Sequence, residues 1–328
     1  VRAAFLPELK PIDLRIVAVA MPLPKRPEAH RSEKVSMSIL GTIDALFPKD
    51  KQSKQIASGL GYGPDRQQRL DVYGPVVVPD QPLPVVVFFY GGGWQTGDRR
   101  EYAFAGRALA ALGYVVVVAD YRLVPDVSYP AFLHDCADVV DWVVANIAAH
   151  GGDPARLALA GHSSGAYNAA MIVLDPEYLA ARGRLGAIRS VVGLSGPYDF
   201  YPFDVAITRR VFGAVRDGKT TQPVNFVTPA APPMLLATGL RDRLVYPRNT
   251  ITLAERLKAA GVVVVEHYYA HAGHPAPLLA LGRPLRQLFP VYAHIAQFLE
   301  QTLGASPSGI ANSGATEAPA TQRLGGPQ

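Results

Sequence analysis

Short apolar runs alternate with longer stretches of mixed polarity along most of the chain. VVVFFY (85–90), YVVVVA (114–119), RLALA (156–160), IRSVVGL (188–194), MLLATG (234–239) and VVVVEHY (262–268) are rich in Val and nearly continuous in apolar residues. Such runs predict strands buried on both faces. Helical segments are expected between them, over 101–112, 130–150, 164–174, 247–260 and 277–303. Strand and helix in alternation predict an α/β fold with a mostly parallel sheet and crossover helices. RLDVY (69–73) and the segment around Ile56 are expected to add antiparallel strands at one edge.

The pattern lapses at both ends. Residues 1–50 carry prolines at 7, 11, 22, 24, 27 and 48 and predict an irregular arm, with one short helix near Ser36 to Phe47. The Ala/Ser/Gly/Pro-rich stretch 304–328 has too little to bury and predicts a disordered tail. The 253 positions between them (51–303) are expected to form one domain, and 196–232 interrupts the strand–helix alternation inside it.

Composition narrows the class. With 49% hydrophobic and 18% charged residues the body is expected to be globular. The net charge of +5 is spread out, with pairs such as Arg99-Arg100 and Arg209-Arg210 but no basic block, so no nucleic-acid surface is expected. Cys136 is the one cysteine and cannot form an internal disulfide. No apolar run reaches the ~18 residues of a spanning helix, so no integral membrane segment is expected. RIVAVAMPLP (15–24) is too short and proline-broken for a signal core. The chain reads as soluble, with its compartment and oligomeric state open, a homo-oligomer included.

The candidate chemistry begins at GHSSG (161–165), between a predicted central strand and a predicted helix. A G-x-S-x-G turn there holds its serine on a sharp corner with the hydroxyl clear of the backbone. Gly161 and Gly165 bracket Ser163, which makes Ser163 the candidate nucleophile; Ser164 follows, where the backbone N–H matters more. The ordinary alternative is a glycine turn with a helix N-cap. A serine needs a base and the base an orienting carboxylate. Asp242 stands just past the strand MLLATG, and His271 and His274 lie in YAHAGHPAP before the last helix. His274 is favoured because Ala272-Gly273 permit a tight turn into it. YGGGW (90–94) follows the strand VVVFF and offers backbone donors for an oxyanion, those of Gly92 and Gly93 joining that of Ser164.

Taken in order, FFYGGGWQTGD, ADYRLVP, GGDPARLALAGHSSGAYNAA, TGLRDRLV and HAGH resemble the α/β-hydrolase superfamily. Within it the chain resembles carboxylesterases of the hormone-sensitive-lipase-like and bacterial feruloyl-esterase-like groups, over roughly Ile56 to Leu303. The resemblance implies an eight-stranded, mostly parallel sheet flanked by helices, and hydrolysis of esters without a cofactor; no metal is expected, and the shortness of the insertion at 196–232 points to small to medium soluble esters. It also implies the triad Ser163, Asp242 and His274. Asp120-Tyr121-Arg122 and Asp135 match structural motifs near the site. One departure is Tyr90, where the family usually has histidine; its hydroxyl is expected to help anchor the glycine loop. Residues 196–232 fall where superfamily members carry a lid. Trp94, Tyr198 and Phe200 are the candidate substrate-binding residues, with packing against the domain as the plainer expectation. An amidase or arylformamidase on the same triad, a lipase, and a non-catalytic binding module are the rival readings.

Overall fold

The computed structural model describes Gly41 and residues 48–304. Gly41 apart, the helix expected near 36–47 and the tail expected after 304 fall outside the described residues. Among those residues eight strands form one sheet: β1 (Ser53–Gly61), β2 (Arg69–Pro75), β3 (Leu83–Phe89), β4 (Val115–Ala119), β5 (Gly152–His162), β6 (Ile188–Leu194), β7 (Met234–Gly239) and β8 (Val264–Tyr269). Their order is β1-β2-β4-β3-β5-β6-β7-β8. β2 is antiparallel to β1 and β4, and the other pairings are parallel. This is the α/β-hydrolase arrangement.

The valine runs form the middle of the sheet because both of its faces are covered. Every residue of β3 and β4 is buried. β1 is largely exposed and β8 half-buried, as edge strands allow. The helices are α1 (Ala103–Ala110), α2 (Ala131–Asn146), α3 (Ser164–Leu174), α4 (Pro176–Ala180), α5 (Ala206–Phe212), α6 (Arg248–Ala259), α7 (Ala276–Leu279) and α8 (Val291–Leu303). The α3 sequence SGAYNAAMIVL is buried almost all round, so it runs through the core and carries no wet face.

The structure departs from the expected helix over 277–303. Pro284 and Pro290 lack the N–H a continuous helix needs, and each clashes with helical backbone before it. The segment therefore breaks into α7, a 3-10 turn at Arg283–Leu285, and α8. No helix among the described residues is long and apolar enough to cross a membrane.

β3 lies between β4 and β5. The chain leaves β3 towards one edge of the sheet and leaves β5 towards the other, which makes the carboxyl ends of these two strands the switch point where open α/β sheets place their functional loops. The glycine loop starts where β3 ends, and GHSSG spans the end of β5. Two motifs 70 positions apart are thereby made neighbours.

Candidate active site

Close packing explains the two glycines of the β5–α3 turn. A Cβ on Gly161 would lie 2.4 Å from the Gly165 carbonyl, and one on Gly165 would lie 2.1 Å from the carbonyl oxygen of Phe89 in β3. With no side chain there, the turn tightens until Ser163 takes φ 55° and ψ −124°. A non-glycine residue in that region is strained and persists only where its surroundings hold it. Here the Ser163 N–H donates to Leu194 O of β6 at 2.9 Å. Its side chain makes no capping bond to α3, which leaves the hydroxyl free for another partner.

That partner is His274. Its Nε2 lies 2.9 Å from Ser163 Oγ and its Nδ1 lies 2.7 Å from Asp242 Oδ2. Asp242 sits in the turn after β7 with its side chain fully buried, and its Oδ1 accepts from the N–H groups of Leu244 and Val245, each at 2.9 Å. These two backbone donors hold the carboxylate independently of the imidazole. The same turn is joined to the histidine loop by Arg241 N–H donating to Ala272 O at 3.0 Å. His271 is exposed and outside this chain of hydrogen bonds.

The glycine loop faces Ser163. Gly92 and Gly93 have φ of 133° and 60°, and Trp94 also has positive φ. As the first residue of α3, Ser164 has an N–H without an intrahelical partner. Its hydroxyl, which the motif alone does not mark, accepts from Gly93 N–H at 3.1 Å. Tyr121 donates to Tyr90 O at 2.9 Å and comes within 3.5 Å of Ser164 Oγ. Tyr121 thus braces both the loop and the start of α3. The Tyr90 ring is buried and stacked between Tyr102 and Tyr121, with centroids at 5.4 and 4.7 Å. Burial first, and then the charge of Asp120, push its phenol well above the ordinary range.

The motifs after β4 hold the frame. Arg99 bridges Asp71 and Asp120, and Arg122 pairs with the fully buried Asp135.

The three candidate substrate-binding residues belong to the packed interior. Tyr198 is 0% exposed, its hydroxyl wedged beside Gly193 and Gly196. Trp94 is 3% exposed, donates from Nε1 to Asn168 Oδ1 at 3.0 Å, and meets Tyr167 and Phe212 edge-on. Phe200 joins the same cluster. Aromatic rings beside a predicted site are equally good core. An aliphatic side chain, Ile207 of α5, also packs on the glycine loop: its Cδ1 would lie 2.2 Å from a Cβ on Gly93. Among the described residues no group of three or more His, Cys, Asp or Glu is placed to hold a metal ion.

The profile of the BD-FAE family matches residues 70–257, more than half of the chain. The chain belongs to the BD-FAE family. The match runs from β2 through the elbow and the carboxylate turn into α6. Outside the family profile, this BD-FAE chain is 33% identical over 261 residues to esterase LipC of Mycobacterium tuberculosis, covering 73% of itself and 64% of that protein. It is 30% identical over 256 residues to the isoprenylcysteine alpha-carbonyl methylesterase ICME of Arabidopsis thaliana, covering 71% of itself and 59% of that protein. The chain thus spans less than two thirds of these relatives. Among solved structures, an inhibited esterase B from Lactobacillus rhamnosis superposes with a TM-score of 0.71 at 19% identity, over 80% of this chain and 91% of that one.

Proposed function

We propose that the protein is a serine carboxylesterase acting on small to medium soluble esters. The observation that carries this reading is the continuous hydrogen-bonded path from Ser163 through His274 to Asp242 at the carboxyl end of the sheet. Such a path lets an imidazole take the serine proton while the carboxylate holds the other ring nitrogen. Kinship with BD-FAE proteins and with a named esterase supports the same chemistry.

In this reading Ser163 Oγ attacks the ester carbonyl carbon and His274 Nε2 takes its proton. The tetrahedral oxyanion is met by the N–H groups of Gly92, Gly93 and Ser164. His274 passes the proton to the departing alcohol, and Asp242 accepts from Nδ1–H throughout. Water, deprotonated by the same nitrogen, then attacks the acyl-enzyme; the Ser163 Oγ–carbon bond breaks, His274 returns the proton to Ser163 Oγ, and the acid leaves. The Gly93 N–H reaches the oxyanion by sharing its bond with Ser164 Oγ.

The test is intact-mass detection of one organophosphonate adduct on the full chain, absent in Ser163→Ala, combined with turnover of matched ester and amide substrates. An adduct that persists in Ser163→Ala removes Ser163 as nucleophile. Amide turnover equal to ester turnover overturns the esterase assignment in favour of an amidase.

A further inference from the structure

The turn that supplies Asp242 also forms an open recess of about 550 Å³, lined by Leu240, Arg241, Asp242, Arg243, Tyr246 and Pro247. We propose that this recess is a binding site for an anionic amphiphile, a molecule with an apolar body and one carboxylate, sulfate or phosphate head. The size lies within the range of small-molecule sites, which are mostly apolar with a few placed polar groups.

Apolar surface and positive charge are interleaved there. Within seven positions, Leu240 and Tyr246 of the lining are 49% and 54% exposed, and Leu244, adjoining the lining in sequence, is 68% exposed. Burying such side chains is favourable in proportion to the area removed from water, so they offer an adhesive floor. Arg241 and Arg243 are exposed and, among the described residues, make no side-chain hydrogen bond or ion pair, whereas Arg99, Arg122, Arg182, Arg184 and Arg286 each hold an aspartate. Arg248 lies over the Tyr246 ring at 5.8 Å, adding a third guanidinium at the rim. A guanidinium grips oxyanions through paired N–H donors, which makes free arginines the matching half of such a head group.

The charge is not cancelled from within. Asp242 is the one acid between positions 240 and 254, and its buried carboxylate is spent on His274 and two backbone N–H groups. The platform is also preformed: Leu240 N–H donates to Tyr269 O, Arg241 N–H to Ala272 O and Asp242 N–H to Gly239 O, each at 3.0 Å. Little ordering is left for a ligand to impose. The site stands independently of the esterase reading.

The experiment titrates the full chain with monomeric decyl sulfate and with decyltrimethylammonium by calorimetry, and sediments it with vesicles of phosphatidylcholine alone or mixed with phosphatidylglycerol. Decyl sulfate, the mixed vesicles or both are expected to bind, with decyltrimethylammonium and neutral vesicles weaker by about tenfold or more, and with binding reduced by salt. Decyl sulfate alone identifies a free amphiphile as the source, and mixed vesicles alone a bilayer surface. The double variant Arg241→Gln/Arg243→Gln, and separately Leu244→Glu, should each lose about tenfold or more, the size expected on losing a charge-assisted bond or burying a charge. Ser163→Ala should bind as the parent does. The proposal is overturned by no binding to either anionic probe, by equal binding of the cationic one, by parent-like binding in either recess variant, or by loss of binding in Ser163→Ala, which would put the ligand at the serine.

Discussion

His162 Nε2 lies 3.1 Å from the backbone carbonyl oxygen of His274, and the two rings are 4.9 Å apart. The residue inside G-x-S-x-G therefore holds the main chain of the histidine that faces Ser163. A carbonyl only accepts, so His162 Nε2 carries the proton, and its Nδ1 is left buried and unpaired beside Gly91. Burial, followed by the charge of His274, lowers its pKa from the ordinary 6.5 to about 3.

Two consequences can be measured. His162→Gln, which can present an N–H at a similar reach, should keep kcat within about tenfold. His162→Leu should lower kcat further at little change in KM, since the lost bond positions the base and touches no substrate. On stability, the folded pKa lies below the unfolded one, so the contribution is full above pH 6.5 and is lost as pH falls towards about 3. Urea midpoints at pH 7, 5 and 4 should therefore fall less steeply in His162→Gln. His267, stacked 3.5 Å from His294 and lowered to about 4, acts in the same direction, so the slope should shrink without vanishing.

The two serines of the elbow should separate cleanly. Ser163→Ala is expected to lose kcat by on the order of 10⁶, by analogy with other triads. Ser164→Ala retains its own N–H and releases that of Gly93, at the cost of a neutral hydrogen bond of about 1 kcal/mol. It should stay within about tenfold of the parent while melting lower. Comparable losses of ester turnover in both folded variants would remove the distinction.

What could be read without the structure follows from how local each signal is. The valine runs announce buried parallel strands because both faces of that sheet are covered, and six strands of the sheet lie on those runs. Ser163 is marked by glycines whose absent side chains make room for its own turn. His162 carries no such mark, since its partner lies 112 positions away and meets it only where the end of β5 and the loop after β8 converge. The Ser164 hydroxyl was equally hidden, because its bond to Gly93 depends on strand order. Trp94 and Tyr198 show the reverse difficulty: aromatic residues near a glycine loop suit a pocket or a core, and only their burial decides.

Tyr121 and Tyr90 provide a comparison of hydroxyl against ring. Tyr121→Phe deletes the donor to Tyr90 O and leaves that buried carbonyl unsatisfied, which should cost about 1–3 kcal/mol of stability and lower kcat as the glycine loop loosens. Tyr90→Phe keeps the stacked ring and should cost less than Tyr121→Phe in both respects. Thermal melts and ester kinetics on the pair decide it; equal effects would mean that the Tyr121 hydroxyl does not brace the loop.

Chain-length preference follows from how tightly 196–232 is pinned. Asn249 Oδ1 accepts from Tyr198 and Asp199 N–H at 2.9 and 2.8 Å and Tyr167 donates to Thr221 O at 2.8 Å, tying the segment to α6 and α3, while inside it Gln222 Oε1 accepts from Phe200 and Tyr201 N–H at 2.7 and 3.1 Å. A segment held at so many points, with seven-residue α5 as its one α-helix, is not built to swing open at an oil surface. Each acyl methylene gains about 0.8 kcal/mol only while there is apolar wall to meet it. On p-nitrophenyl esters kcat/KM should therefore peak between acetate and hexanoate and fall by dodecanoate, without a jump above the solubility limit. Ile207, packed over Gly93, is the side chain expected to set that length, so Ile207→Ala should raise the octanoate-to-acetate ratio of kcat/KM. A parent enzyme that prefers emulsified long-chain triglyceride would instead mean that 196–232 opens despite these bonds.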